Sequence, residues 1–125
     1  MPRHWVAFPP NNLPVVWARL AQHRFRVLLD TGAARSLVTP AVASSLRFRM
    51  VGTERIIGVT GTVASVPLVE VVGVGLGQTE LPPFHAGVLE LGPLRLGIQA
   101  VLGVNAFAGR RLQIDFLEGR LYLLP

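Results

Sequence analysis

The sequence predicts an all-β single domain with one or two short helices, and three observations carry that prediction. Short runs rich in Val, Leu, Ile and Phe recur from Val15 to Leu124, the dominant period in them is two, and 13 Gly and 10 Pro fall between the runs without a repeat. A chain of 125 residues can bury roughly two-thirds of its unfolded surface, enough for one core. The expected division is an N-terminal arm, 1–14, interrupted by Pro9, Pro10 and Pro14, followed by one domain, 15–125.

Val15 to Leu20 reads as a first strand, Ala21-Gln22-His23 as a turn, and Arg24 to Leu29 as a second strand with Phe25, Val27 and Leu29 on one face. The second strand becomes wholly apolar at Val27-Leu28-Leu29 and then delivers Asp30-Thr31-Gly32, an acidic group leaving a buried strand on a tight turn. Pro40 to Leu46 is the best helical stretch, with Thr39 placed to cap it and Pro40 in the first turn. Arg55 to Gly58 and Thr62 to Val66 form a hairpin around Val59-Thr60-Gly61. Leu68 to Val74, Phe84 to Leu91, Ile98 to Leu102, Leu112 to Phe116 and Arg120 to Leu124 complete the strands.

Composition removes several function classes. All 12 basic residues are Arg, giving a net charge of +5, but they are scattered without a basic run or an interleaved aromatic platform, so no nucleic-acid partner is expected. An Arg-rich nucleic-acid binder is the weakest of three readings, and steep salt dependence would mark it. No stretch approaches about 20 apolar residues, so no membrane span is expected. A soluble domain, cytoplasmic by default, follows, with excision from a longer or anchored protein left open. Without cysteine there is no thiolate chemistry. His4, His23 and His85 lack ligand spacing, so neither a metal nor any other cofactor is expected. Gly73-x-Gly75-x-Gly77 lacks the helix of a phosphate loop, and no G-x-S-x-G elbow surrounds any serine.

Against that background Val27-Leu28-Leu29-Asp30-Thr31-Gly32-Ala33 resembles the active-site signature of aspartic proteases. The order of the remaining pieces extends the resemblance: Ser36 and a short helix follow the turn, a Gly-containing hairpin spans Ile56 to Val63, and an apolar-apolar-Gly motif stands at Val101-Leu102-Gly103. From Val15 to Leu124 the chain is similar to retropepsin-type (retroviral-protease-like) aspartic proteases. That resemblance implies the closed-barrel-like acid protease fold, with Asp30 catalytic and Thr31, Gly32 and Ala33 in the active-site loop. Thr31 would bond across a two-fold axis and Ala33 would line the floor near the scissile bond. Ile57, Gly58, Val59, Thr60, Gly61 and Val63 would form a flap that closes over substrate, and Val101, Leu102 and Gly103 would support the loop. Ile57, Val59, Val63 and Val101 near the groove imply a preference for apolar side chains around the cut. Viral relatives pair an acidic residue after D-T-G-A with an Arg after apolar-apolar-Gly; here those positions hold Ala34 and Val104, and the joint loss points to a bacterial member.

Physical chemistry makes the case independently. Peptide hydrolysis by carboxylates needs two of them around one water, and at about 3 Å they share a proton and titrate as a unit. The chain has only two aspartates, and Asp115 lies in an alternating run, Leu112 to Phe116, whose inner face goes to Ile114 and Phe116. The symmetric completion is a homodimer in which Asp30 meets its copy. The expected function is therefore an aspartic endopeptidase acting on peptide or protein substrates. The alternative is a silent protease-like module that binds peptides or dimerises.

Overall fold

The computed structural model describes residues 4–57, 60–92 and 97–124. In chain order the strands are β1 (Val6–Ala7), β2 (Val15–Leu20), β3 (His23–Leu29) and β4 (Ser36–Val38), then the helix α1 (Pro40–Ser45). There follow β5 (Arg49–Ile57), β6 (Val63–Val71), β7 (Val74–Leu76), β8 (Thr79–Glu80), β9 (Phe84–Val88) and β10 (Ile98–Leu102). A 3-10 turn at Val104–Phe107 precedes β11 (Arg111–Asp115) and β12 (Arg120–Leu124). The all-β class holds, with a single short α-helix among the described residues.

Nine strands form one sheet in the order β5-β6-β9-β4-β10-β3-β2-β7-β8, and β1-β12-β11 form a second. The nine-stranded sheet is open among the described residues, β5 and β8 being its ends, so the barrel-like closure expected from sequence is not reached. The β2–β3 hairpin pairs in full, from Val15↔Leu28 to Leu20↔His23, and turns on Ala21, whose φ of 53° is left-handed. Alternation along β2 puts Val16, Ala18 and Leu20 in the core and Trp17 and Arg19 outside.

Helix α1 starts as its sequence dictates: the Thr39 hydroxyl accepts from the Val42 N–H and Pro40 occupies the first turn. Val42 is its buried residue, set among Val38, Val71, Ala100 and Leu102. Two strands run longer than the sequence suggested. β5 and β6 are nine residues each, and β6 continues through Pro67 because pairing with β9 begins only at Leu68, leaving the proline where one side of the strand has no ladder.

The core joins both sheets. Val16, Val27, Leu29, Val69, Leu76, Ala86, Leu102, Phe107 and Leu121 belong to one buried cluster, and Phe8 from the N-terminal segment is part of it. Phe8 N–H donates to Gly119 O at 2.9 Å and β1 pairs with β12, so residues 6–11 are stitched onto the second sheet. Trp5 and Trp17 stay half-exposed, covered on one face by Arg120 and Arg24. Phe116 does not take the inner face expected for it: β11 stops at Asp115, and Phe116 opens the following turn, about half exposed and edge-on to Phe8.

Candidate active site

Two parallel strands create the site. β3 and β10 run side by side in register, Val27↔Ala100, Leu28↔Val101 and Leu29↔Leu102, and β4 lies antiparallel on the other side of β10. The six residues of these three pairs are buried, which is why both segments read as unbroken apolar runs. At their shared C-terminal end the chain must turn, and there the Asp30 N–H donates to Leu102 O at 2.9 Å. Asp30, Thr31 and Gly32 are exposed immediately after the buried Leu29.

The turn orients the carboxylate. Asp30 Oδ1 accepts from the Gly32 N–H at 2.9 Å and Asp30 O accepts from the Ala33 N–H at 3.1 Å. A Cβ on Gly32 would stand 3.2 Å from that same Oδ1, so glycine leaves the approach open. Oδ2 accepts no hydrogen bond among the described residues and is available to other groups.

The apolar-apolar-Gly motif braces the turn from behind. Val104 N–H donates to Ala33 O at 2.8 Å, and a Cβ on Gly103 would come within 2.5 Å of that oxygen and 3.0 Å of the Arg35 carbonyl. Only glycine permits this approach of two backbones. Ser36, wholly buried, then ties the loops: its hydroxyl accepts from the Gly103 N–H at 2.9 Å and donates to Asn105 Oδ1 at 2.8 Å. Asn105 Oδ1 also accepts from the Ser36 N–H, and Asn105 Nδ2 donates to His85 O at 2.6 Å. Neither Ser36 nor Asn105 was among the site residues the sequence singled out; a buried serine facing an asparagine across 69 residues of chain is visible only once the loops meet.

Val101 is buried in the single chain and is paired through the backbone with Leu28 on one side and Leu37 on the other. Ile57 and Val63 face each other across the end of the β5–β6 hairpin and are 72% and 45% exposed. Thr60 and Thr62 hydroxyls lie 2.8 Å apart, and Gly61, with φ +81°, takes a turn conformation that suits glycine. Gly58 and Val59 lie outside the described residues. Arg35, five residues beyond Asp30, meets Glu54 of β5, Nε to Oε2 at 2.6 Å, a pairing the sequence did not announce.

Asp115 is remote in topology. It ends a strand of the second sheet, pairs across to Arg120, and its Oδ1 accepts from the Glu118 N–H at 3.0 Å to close the β11–β12 turn. Two clefts of the single chain also lie elsewhere, one among Trp5, Val6, Leu76 and Leu121 and one among Leu20, Phe48, Glu70 and Val72.

A D-T-G-A turn released from a buried parallel strand pair and braced by a glycine of the neighbouring strand defines the class, an aspartic-type peptidase. The chain belongs to the aspartyl protease family, whose model matches residues 16–106 and so takes in the Asp30 turn, the β5–β6 hairpin, Gly103 and Asn105. Among solved structures, that of a retropepsin-like aspartic protease from Rickettsia conorii is similar over 97% of this chain and 88% of that one, with a TM-score of 0.63 and 16% identity. At that identity the likeness speaks for the fold, which is retropepsin-like. No curated protein sequence is significantly similar to this chain. Among the described residues no helix is long and apolar enough to cross a membrane.

Proposed function

We propose that the protein is an aspartic endopeptidase that works as a homodimer, activating water between Asp30 of one protomer and Asp30 of its partner. One observation carries this reading: each chain presents a single oriented, exposed carboxylate at the end of the parallel pair, while its other aspartate is committed to a turn in the second sheet. One carboxylate cannot accept a proton from water and donate one to the scissile carbonyl in the same step, so a second copy completes the chemistry.

In the dimer the pair shares one proton. The ionised Asp30 takes a proton from water, whose oxygen attacks the scissile carbonyl carbon, while the protonated Asp30 donates to the carbonyl oxygen. Collapse of the tetrahedral intermediate breaks the C–N bond as the proton held by the first aspartate passes to the leaving amine and one hydroxyl of the intermediate returns its proton to the second aspartate, restoring the shared-proton pair. The Gly32 N–H, bonded to Oδ1, fixes the direction of the carboxylate.

Thr31 at the exposed tip would contact the partner's loop, and Val104, 53% exposed beside Ala33, adds apolar surface to the same face. Peptide would lie as an added strand between the Asp30 loops and the hairpin segment 57–63, with Ile57, Val59 and Val63 favouring apolar side chains. Cleavage of a peptide library by wild type but not by Asp30→Asn, with sedimentation showing a dimer, is the expected result; activity that survives in Asp30→Asn would refute the assignment.

A further inference from the structure

β5 is the edge of the nine-stranded sheet and its ladder runs only to β6. Pairing of β6 with β9 covers Leu68 to Val71, so Thr53–Ile57 and Val63–Pro67 project beyond it as a two-stranded ribbon. Such a ribbon is marginal by itself, and its placement depends on ties to what lies beneath. One tie is apolar: Ile56 and Val66 lie against Gly87, where a Cβ would meet Ile56 Cδ1, Val66 Cγ2 and Leu37 Cδ2. The other is the Arg35–Glu54 ion pair.

The pair joins unlike supports. Glu54 stands at the base of the ribbon, opposite Val66. Arg35 grows from backbone that is pinned, its carbonyl backing onto Gly103 and its successor Ser36 bonded to Asn105. The side chains are 37% and 29% exposed, yet the meeting atoms, Nε and Oε2, are shielded from solvent and have no hydrogen-bond geometry, so they meet as charges. A pair of this exposure adds little to global stability but is sufficient to bias the angle of a ribbon with no other ladder partner.

We propose that Arg35 and Glu54 are positioning residues that tie the substrate-covering hairpin to the Asp30 loop and set how closely it closes over a bound peptide. The inference rests on reading the hairpin as the arm that covers substrate at Asp30.

The test compares wild type with Arg35→Glu, Glu54→Arg, the isosteric Glu54→Gln and the double charge swap Arg35→Glu/Glu54→Arg. Amide hydrogen exchange, which needs no activity, should quicken about three- to fivefold at 55–57 and 63–65 in each reversal, less in Glu54→Gln, and return towards wild type in the swap. Amides of β3 and β10 should keep their rates. With a peptide substrate, KM should rise by a similar factor while kcat stays near wild type. Ribbon exchange unmoved by either reversal, or a swap that restores nothing, would overturn the tie; restored exchange with an unchanged KM throughout would overturn its role in positioning substrate. A wild type that cleaves no peptide would instead sink the dimeric-protease reading, and the exchange rates would still decide the tie.

Discussion

Asn105 Oδ1 accepts from both the N–H and the hydroxyl of Ser36, each at 2.8 Å. Through that one oxygen the segment after the Asp30 turn is locked to the segment after Gly103, and Asn105 Nδ2 carries the lock onward to His85 O. The Ser36 hydroxyl is engaged both ways, since it also accepts from the Gly103 N–H. A buried polar network of this kind is stabilising only while every member is satisfied.

Asn105→Ala should therefore leave the buried Ser36 hydroxyl proton and Ser36 N–H without their acceptor, costing about 2–3 kcal/mol. Urea denaturation at constant m-value measures it. A loss below about 0.5 kcal/mol would show that water replaces the asparagine, and the network would not then be what holds the two loops.

Gly103→Ala probes the bracing of Asp30 from the other side. Its φ of −89° suits any residue, so the substitution acts through crowding: the new Cβ would press on Ala33 O and the Arg35 carbonyl, both backbone atoms that cannot swing away. Stability should fall by roughly 2–3 kcal/mol, and peptide cleavage should fall further than the folded fraction does. A variant with wild-type stability and activity would show that the loops can part without consequence.

The N-terminal segment is tested by Phe8→Ala. Phe8 is 5% exposed, its ring lies edge-on to Phe116, and its backbone holds Gly119. Removing the ring should cost about 3 kcal/mol, as for other buried aromatics. A near-neutral result by thermal or urea unfolding would mean the segment is a detachable arm.

Thr31→Val tests the proposed contact across the two-fold axis. Two symmetric hydrogen bonds lost at once should weaken the dimer about tenfold, read by sedimentation across a concentration series. An unchanged dissociation constant would place Thr31 outside the interface.

Much of this architecture could be read in the residues, and the limits have physical causes. The buried run Val27-Leu28-Leu29 ending on Asp30 announced both the central strand and its exposed carboxylate, because only a strand covered on both faces is apolar throughout. The helix was legible in Thr39-Pro40 for the same local reason. By contrast β1, β4, β7 and β8 are two or three residues long and exist only through partners distant in sequence, so no period announces them. Pro67 split the β6 reading into Thr62 to Val66 and Leu68 to Val74, because its tolerance depends on where β9 begins. Ser36, Asn105 and Glu54 escaped notice as site residues since each is an ordinary polar residue until its partner arrives from elsewhere in the chain.

The central claim is that two copies of Asp30 make one site, and mixing tests it most directly. Wild type and Asp30→Asn are combined in equal amounts, allowed to exchange subunits, and assayed for peptide cleavage. If heterodimers carry a broken dyad, the mixture should retain about half the activity of the wild type it contains, falling further as the mutant is raised. Wild-type activity that persists undiminished, with subunit exchange verified, would contradict the account.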